Sequence, residues 1–208
     1  MSGGAPEEEL LNVYDAQGHV TGALPRHEAK RSGLAVGAVN ALILNGRGEL
    51  LMQRRPADKE NGGLWDKSVG GHVSAGEDFD ATLLREAGEE LFDDPHSRRV
   101  QLLADDASRA NPDFDLGRGV LLHPLDRRLN LRDVRHAPGG GMRRVLYHLV
   151  IYGGRTELPL AGFRPQPSEI DELRYVPVDE VDAMLLGGRL APNMAFLWLT
   201  QAQALLRR

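Results

Sequence analysis

The sequence contains no cysteine. That absence excludes disulfides, thiolate zinc sites, iron–sulfur clusters and any cysteine nucleophile. Long apolar runs are missing too. The longest stretches, residues 38–44 and 195–199, fall far short of a bilayer span, so no membrane association is expected. Basic residues show no excess, with 25 Lys and Arg against 30 Asp and Glu, and the net charge is -5. A stable nucleic-acid partner ordinarily demands a basic footprint, so none is expected. The opening MSGGAPEEEL is acidic and lacks an apolar segment, so it does not read as a signal peptide and a cytoplasmic protein is expected. Gly139-Gly140-Gly141 lacks the Lys-Ser/Thr of a phosphate-binding loop and reads as a flexible link.

The rest of the composition is that of an ordinary folded chain, with 41% hydrophobic and 26% charged residues. A length of 208 residues favours one domain. Residues 1–9 read as a loose tail and 10–208 as a single domain. Residues 10–15 and 20–24 form a hairpin pattern around Gln17-Gly18, and Pro25 opens a short helix over 26–32 that Gly33 would end. Residues 36–44 and 49–53 are strands around the Asn45-Gly46 turn. The clearest helix covers 79–91, with Ala81, Leu84, Ala87 and Leu91 spaced to form an apolar face. Later strands are expected at 100–104, 144–152 and 174–178, with helices after Val178 and from Pro192. Between them, 105–141 reads as a long polar insert with one apolar patch, Val120-Leu121-Leu122, either a lid whose arginines meet the substrate or a solvated loop whose arginines pair with its own aspartates. Strands and helices mix without a strict βαβ rhythm, which indicates an α+β fold.

Chemistry concentrates in Gly70-Gly71-His72, Glu77 and the run Arg85-Glu86-Ala87-Gly88-Glu89-Glu90. Helical spacing i, i+3, i+4 gathers Glu86, Glu89 and Glu90 on one side, where like charges repel. Hard oxygen donors in that pattern suit Mg2+ or Mn2+, ions that bridge to substrate phosphates. Arg85 can reach back to Glu77 and pin the loop to the helix. The plain alternative is a solvated acidic helix whose ion pairs contribute little.

The arrangement resembles the Nudix box, Gly-x5-Glu-x7-Arg-Glu-U-x-Glu-Glu-x-Gly-U with U apolar, through Gly71, Glu77, Arg85, Glu86, Ala87, Glu89 and Glu90. Two positions depart from it: Phe92 stands at the second box glycine and Asp93 at the last apolar position, while Gly88 lies inside the helix. Residues 48–55, Gly63-Leu64-Trp65-Asp66, 68–73 and the stretch 15–29 are similar to the subgroup related to isopentenyl-diphosphate isomerase. The resemblance implies an α/β/α sandwich with a mixed sheet, an N-terminal hairpin extension and the insert. It also implies a Mg2+- or Mn2+-dependent hydrolase acting on a nucleoside diphosphate linked to another group, a small-molecule, nucleotide-type partner. Glu86, Glu89 and Glu90 would be catalytic and hold the metal with the Gly70 carbonyl, and Glu77 and Arg85 would orient them. An isomerase reading is disfavoured, because the isomerase cysteine position is Gly70 and the chain has no cysteine. A non-catalytic Nudix binding module is the third reading.

Outside the box, Arg54 is preferred over Arg55 as a diphosphate clamp, since adjacent strand residues face opposite ways. His72 and Glu169 are weaker substrate-binding candidates, the latter shared with Glu172 as an extra acid in an otherwise solvated loop. Trp65 and Trp198 read as packing. The N-terminal hairpin and exposed sheet edges offer surfaces for a homodimer.

Overall fold

The computed structural model describes residues 8–103, 113–136 and 142–206. In chain order its elements are β1 (Leu10–Tyr14), β2 (Val20–Pro25), α1 (Arg26–Ala29), β3 (Ala35–Leu44), β4 (Leu50–Arg54), β5 (Trp65–Asp66), β6 (Val69–His72) and α2 (Phe79–Phe92). Then come β7 (Val100–Leu102), β8 (Val120–His136), β9 (Met142–Arg155), a 3-10 turn (Leu160–Gly162), β10 (Glu172–Val176), α3 (Val178–Leu186) and α4 (Pro192–Leu206). The strands hydrogen-bond in the order β10-β4-β3-β9-β8-β7. β10 and β4 run antiparallel, whereas β7 pairs parallel with β8, so the sheet is mixed. The chain clusters into two compact units. The first holds Met1–Val39, Gly71–Thr82 and Arg127–Val150; the second holds Asn40–Gly70, Leu83–Asp126 and Ile151–Arg208.

In the first unit, β1 pairs antiparallel with β2 in the expected hairpin. α1 stops at Ala29, earlier than the expected 32, and Gly33 follows with φ of 79°. Alternation along β1 sends Leu11 and Val13 into a core with Ala29, Val36, Val145 and Tyr147. β1 also carries Asn12, a buried amide that clamps the loop before α2. Its Nδ2 donates to the Glu77 carbonyl at 2.9 Å, and its Oδ1 accepts from the Gly76 amide at 3.3 Å. Gly76 has φ of 83°, a conformation that a side chain would strain. Asp78 then caps α2, its Oδ1 accepting from the Ala81 amide at 2.7 Å.

In the second unit, Leu83, Ala87 and Leu91 recur every four residues on α2 and are fully buried. The expected glycine cap is absent at Phe92, and the reason is local. Asp93 itself adopts the left-handed conformation with φ of 53°. Its amide bonds the Glu89 carbonyl at 3.0 Å, and the Asp94 amide bonds the Gly88 carbonyl at 3.1 Å. The chain therefore folds back over position 88, where a Cβ would lie 2.3 Å from the Asp94 carbonyl oxygen. Gly88→Ala ordinarily favours a helix by about 1 kcal/mol. Here it is expected to destabilise by about 1–3 kcal/mol, because backbone must move. Urea melts of the two proteins check the sign.

The expectation of a long loop over 105–141 needs correction. Residues 120–136 form one strand of 17 residues, β8, next to β9. Two features hid it. Charged residues populate the strand, as a ribbon with a solvated face allows. Asn130 also takes φ of 56°, and the apolar residues on either side of it face differently, Leu129 exposed and Leu131 packed on the core, while Val134 lies on the exposed face. Its amide donates to His148 Nδ1 at 3.1 Å and its side chain to the Ala16 carbonyl at 2.9 Å. Arg109 and Gly139–Gly141 lie outside the described residues. Among the described residues no helix is long and apolar enough to cross a membrane.

Candidate active site

Helix geometry orders the three acids. At about 100° per residue, Glu90 lies roughly 60° from the centre of the Leu83–Ala87–Leu91 stripe, Glu86 about 100° and Glu89 about 160°. Burial follows that order: the Glu86 side chain is 15% exposed and that of Glu89 35%. Glu90 sits at the edge of the core. Burial pushes its carboxyl up to about 8, and the neighbouring Glu86 charge adds to the shift. Lys67, the Gly70 amide and Gln53 act in the opposite direction. The Gly70 N–H and Gln53 Nε2 both donate to Glu90 Oε2 at 3.2 Å. Gly70, expected as a carbonyl ligand, thus meets Glu90 through its amide.

Arg85 sits between the other two acids. One guanidinium nitrogen lies 3.0 Å from Glu86 Oε1 and another 3.0 Å from Glu89 Oε2. Glu77, in the first unit, accepts from Thr82 Oγ at 2.8 Å. Among the described residues no three acidic or histidine side chains converge closely enough to form a ready metal cage. The donor chemistry still fits a hard divalent ion. Glu90 and Glu86 are carboxylates forced together in a partly dry place, and a cation would relieve both desolvation and repulsion.

A second charged group lies beside them. Asp66 is buried, and Lys67 Nζ lies 3.2 Å from its Oδ1 while Arg55 Nη1 lies 3.2 Å from its Oδ2. Burial alone would raise the Asp66 carboxyl, yet Lys67, through its charge and backbone N–H, and Arg55 hold it below the usual range. The Lys67 side chain runs over Gly70. A Cβ at position 70 would lie 2.0 Å from Lys67 Cε and 2.9 Å from Nζ. A side chain at 70 would therefore displace the end of the Lys67 side chain. Sequence reasoning missed Asp66, Lys67 and Gln53. The signal was an Asp-Lys pair set between Trp65 and Val69 in an otherwise apolar stretch.

The remaining candidates fall elsewhere. Arg54, the preferred clamp, is engaged by acids on and before β10: its Nη2 lies 2.7 Å from Asp171 and 3.2 Å from Glu172. Of the two arginines it is Arg55 that turns to Asp66. Glu169 is half exposed and pairs with Lys59 at 2.8 Å. His72 belongs to the first unit, its ring 6.0 Å from that of Tyr147. Trp65 and Trp198 are buried, and the Trp198 Nε1 donates to Asp182 at 2.7 Å.

The chain belongs to the Nudix family, matching the NUDIX domain over residues 35–196. An uncharacterised Nudix hydrolase of Pseudomonas aeruginosa is 40% identical over 88 residues, 42% of this chain and 52% of that protein. Isopentenyl-diphosphate Delta-isomerase 2 of Photorhabdus laumondii is 32% identical over 90 residues, 42% of this chain and 51% of that one. The chain spans about half the length of the curated relatives it matches. Among solved structures, DR0079 of Deinococcus radiodurans matches with a TM-score of 0.63 at 22% identity, covering 91% of this chain and 96% of that one. At that identity the likeness is one of fold.

Proposed function

We propose that the chain is a divalent-cation-dependent hydrolase of a phosphoric anhydride, with a nucleoside diphosphate linked to a further group as substrate. The observation that carries this reading is the Glu90 carboxyl, desolvated beside Glu86 on a helix that carries three of the four box acids, with the fourth, Glu77, in the loop before it. Two carboxyls held together at the edge of a core, one of them desolvated, form a costly arrangement that a cation-binding role explains. Glu86 and Glu90 would hold the ion. Bound there, it would supply polarisation of a phosphoryl oxygen and make water a better nucleophile.

The chain's own residues then have separate tasks. Gln53 and the Gly70 amide fix Glu90 Oε2. Arg85 fixes the carboxylates of Glu86 and Glu89. Glu89, farthest from the buried stripe, would accept a proton at its carboxylate while Glu90 stays with the ion. Lys67 leaves positive charge beside the acids, where a diphosphate would bring negative charge.

The direct test is release of monophosphate or inorganic phosphate from nucleoside di- and triphosphates, nucleotide sugars and dinucleotides, with and without Mg2+. Turnover that requires Mg2+ supports the reading. Mg2+-dependent nucleotide binding without turnover would make the chain a binding module instead. Arg85→Ala is expected to lower activity about 10–100-fold, the usual cost of lost ligand orientation, and to lower the melting temperature as well. Kinetics and calorimetry on the same preparation check both.

A further inference from the structure

We infer a second ligand site, in the first unit, that takes a small amphipathic anion: a sulfonate, carboxylate or phosphate monoester on an apolar body. It goes beyond the hydrolase reading and uses none of the box acids. A cavity of about 470 Å3 opens there, within the size range of small-molecule sites. The segment after α1 contributes Lys30 and Leu34 to its wall. The neighbouring strands contribute Arg132 and Val134 from β8, and Arg144 and Leu146 from β9. Residues two apart on a strand share a face. Each strand therefore sets one guanidinium and one apolar side chain side by side.

Among the described residues every charged group in the lining is a cation, in a chain whose net charge is -5. Asp133 lies between Arg132 and Val134, so alternation turns it to the other face of β8. Arg132 and Arg144 make no ion pair with any described residue. Leu34 is 41% exposed and Val134 49%, apolar surface left in water beside those charges. A concave wall of low polarity focuses the potential of like charges inward. The guanidinium planes offer paired donors to an oxyanion, and Leu34, Val134 and Leu146 offer a surface to a hydrocarbon. A bare inorganic anion would leave that surface wet, and a neutral alkyl compound would leave the cations unused. Only a ligand with both parts answers the whole lining.

Titration calorimetry of the intact protein with 1-octanesulfonate, sodium sulfate and 1-hexanol tests this. One octanesulfonate per chain is expected to bind saturably, about tenfold or more tighter than either control. The double variant Arg132→Gln/Arg144→Gln is expected to weaken binding by about tenfold or more, the range for lost charged contacts. Leu34→Ser should weaken it several-fold. All these positions are at the surface, and an unchanged melting temperature shows that the variants fold. Glu86→Gln/Glu90→Gln should bind octanesulfonate as the parent does, whatever becomes of hydrolysis. The proposal is overturned if the parent shows no saturable binding, if the double arginine variant binds equally well, or if sulfate alone binds as tightly. Binding confined to phosphatidylglycerol vesicles, with none to the soluble amphiphile, would also overturn it.

Discussion

Glu90→Gln is expected to abolish Mg2+-dependent turnover by several orders of magnitude and, in metal-free protein at pH 8, to raise stability. The two effects share one cause. The carboxyl titrates near 8 in the fold against an ordinary value of 4.5. Between those values the unfolded chain has released a proton that the folded chain keeps, so stability falls as pH rises from about 4.5 to about 8. Ionisation at the top of that window costs on the order of a few kcal/mol. Glutamine keeps an oxygen for the Gly70 amide and Gln53 Nε2, and it has no charge to desolvate. Melting curves of metal-free parent and variant across pH 4–8.5 should therefore diverge steadily, the variant flatter and higher at the alkaline end. Saturating Mg2+ should stabilise the parent at pH 8 and leave the variant nearly unmoved. Parallel curves for the two proteins, or equal turnover at saturating Mg2+, would falsify the role given to Glu90.

Asp66→Asn is expected to cost about 3–5 kcal/mol, the penalty for leaving buried charge without its partner. Lys67 is 12% exposed and Arg55 28%, so two cations would face each other across a neutral amide. The pH dependence runs opposite to that of Glu90. The Asp66 carboxyl lies below its ordinary range in the fold, so its contribution is present above about pH 4 and is lost as pH falls through the folded value. The variant should accordingly lose its disadvantage in strong acid. Asp66→Asn/Lys67→Met should recover part of the loss, since the second change removes the stranded charge. A double variant no better than the single would show that Asp66 acts through its backbone contacts instead.

Much of this was legible in the residues. The helix itself was legible, and the helical angles already separate Glu90 from Glu89, but its buried face was only half read: Ala87 and Leu91 are buried as expected, whereas Leu83 takes the place given to Leu84 and Ala81 is exposed. Lys67 was not legible, because a side chain that runs three residues along to cover a glycine leaves no periodic trace. Arg54 and Arg55 are correctly opposed by alternation, but only the position of Asp171 and Glu172, more than a hundred residues away, decides what Arg54 pairs with. β8 was hidden for a different reason. A half-solvated ribbon carries charge freely, and the left-handed Asn130 breaks the period of two on which strand reading depends.

The left-handed Asp93 separates two properties that the box writes as one pattern. Where the helix ends and which acids it carries are set by different residues: the terminus here is made by Gly88 and Asp93, and the acids stand in register ahead of it. With the turn made there, position 92 holds a phenylalanine stacked 5.7 Å from the Phe163 ring. The glycine of the signature marks one way to stop a helix. A pattern that insisted on it would discard a chain in which Glu77, Glu86, Glu89 and Glu90 are all present.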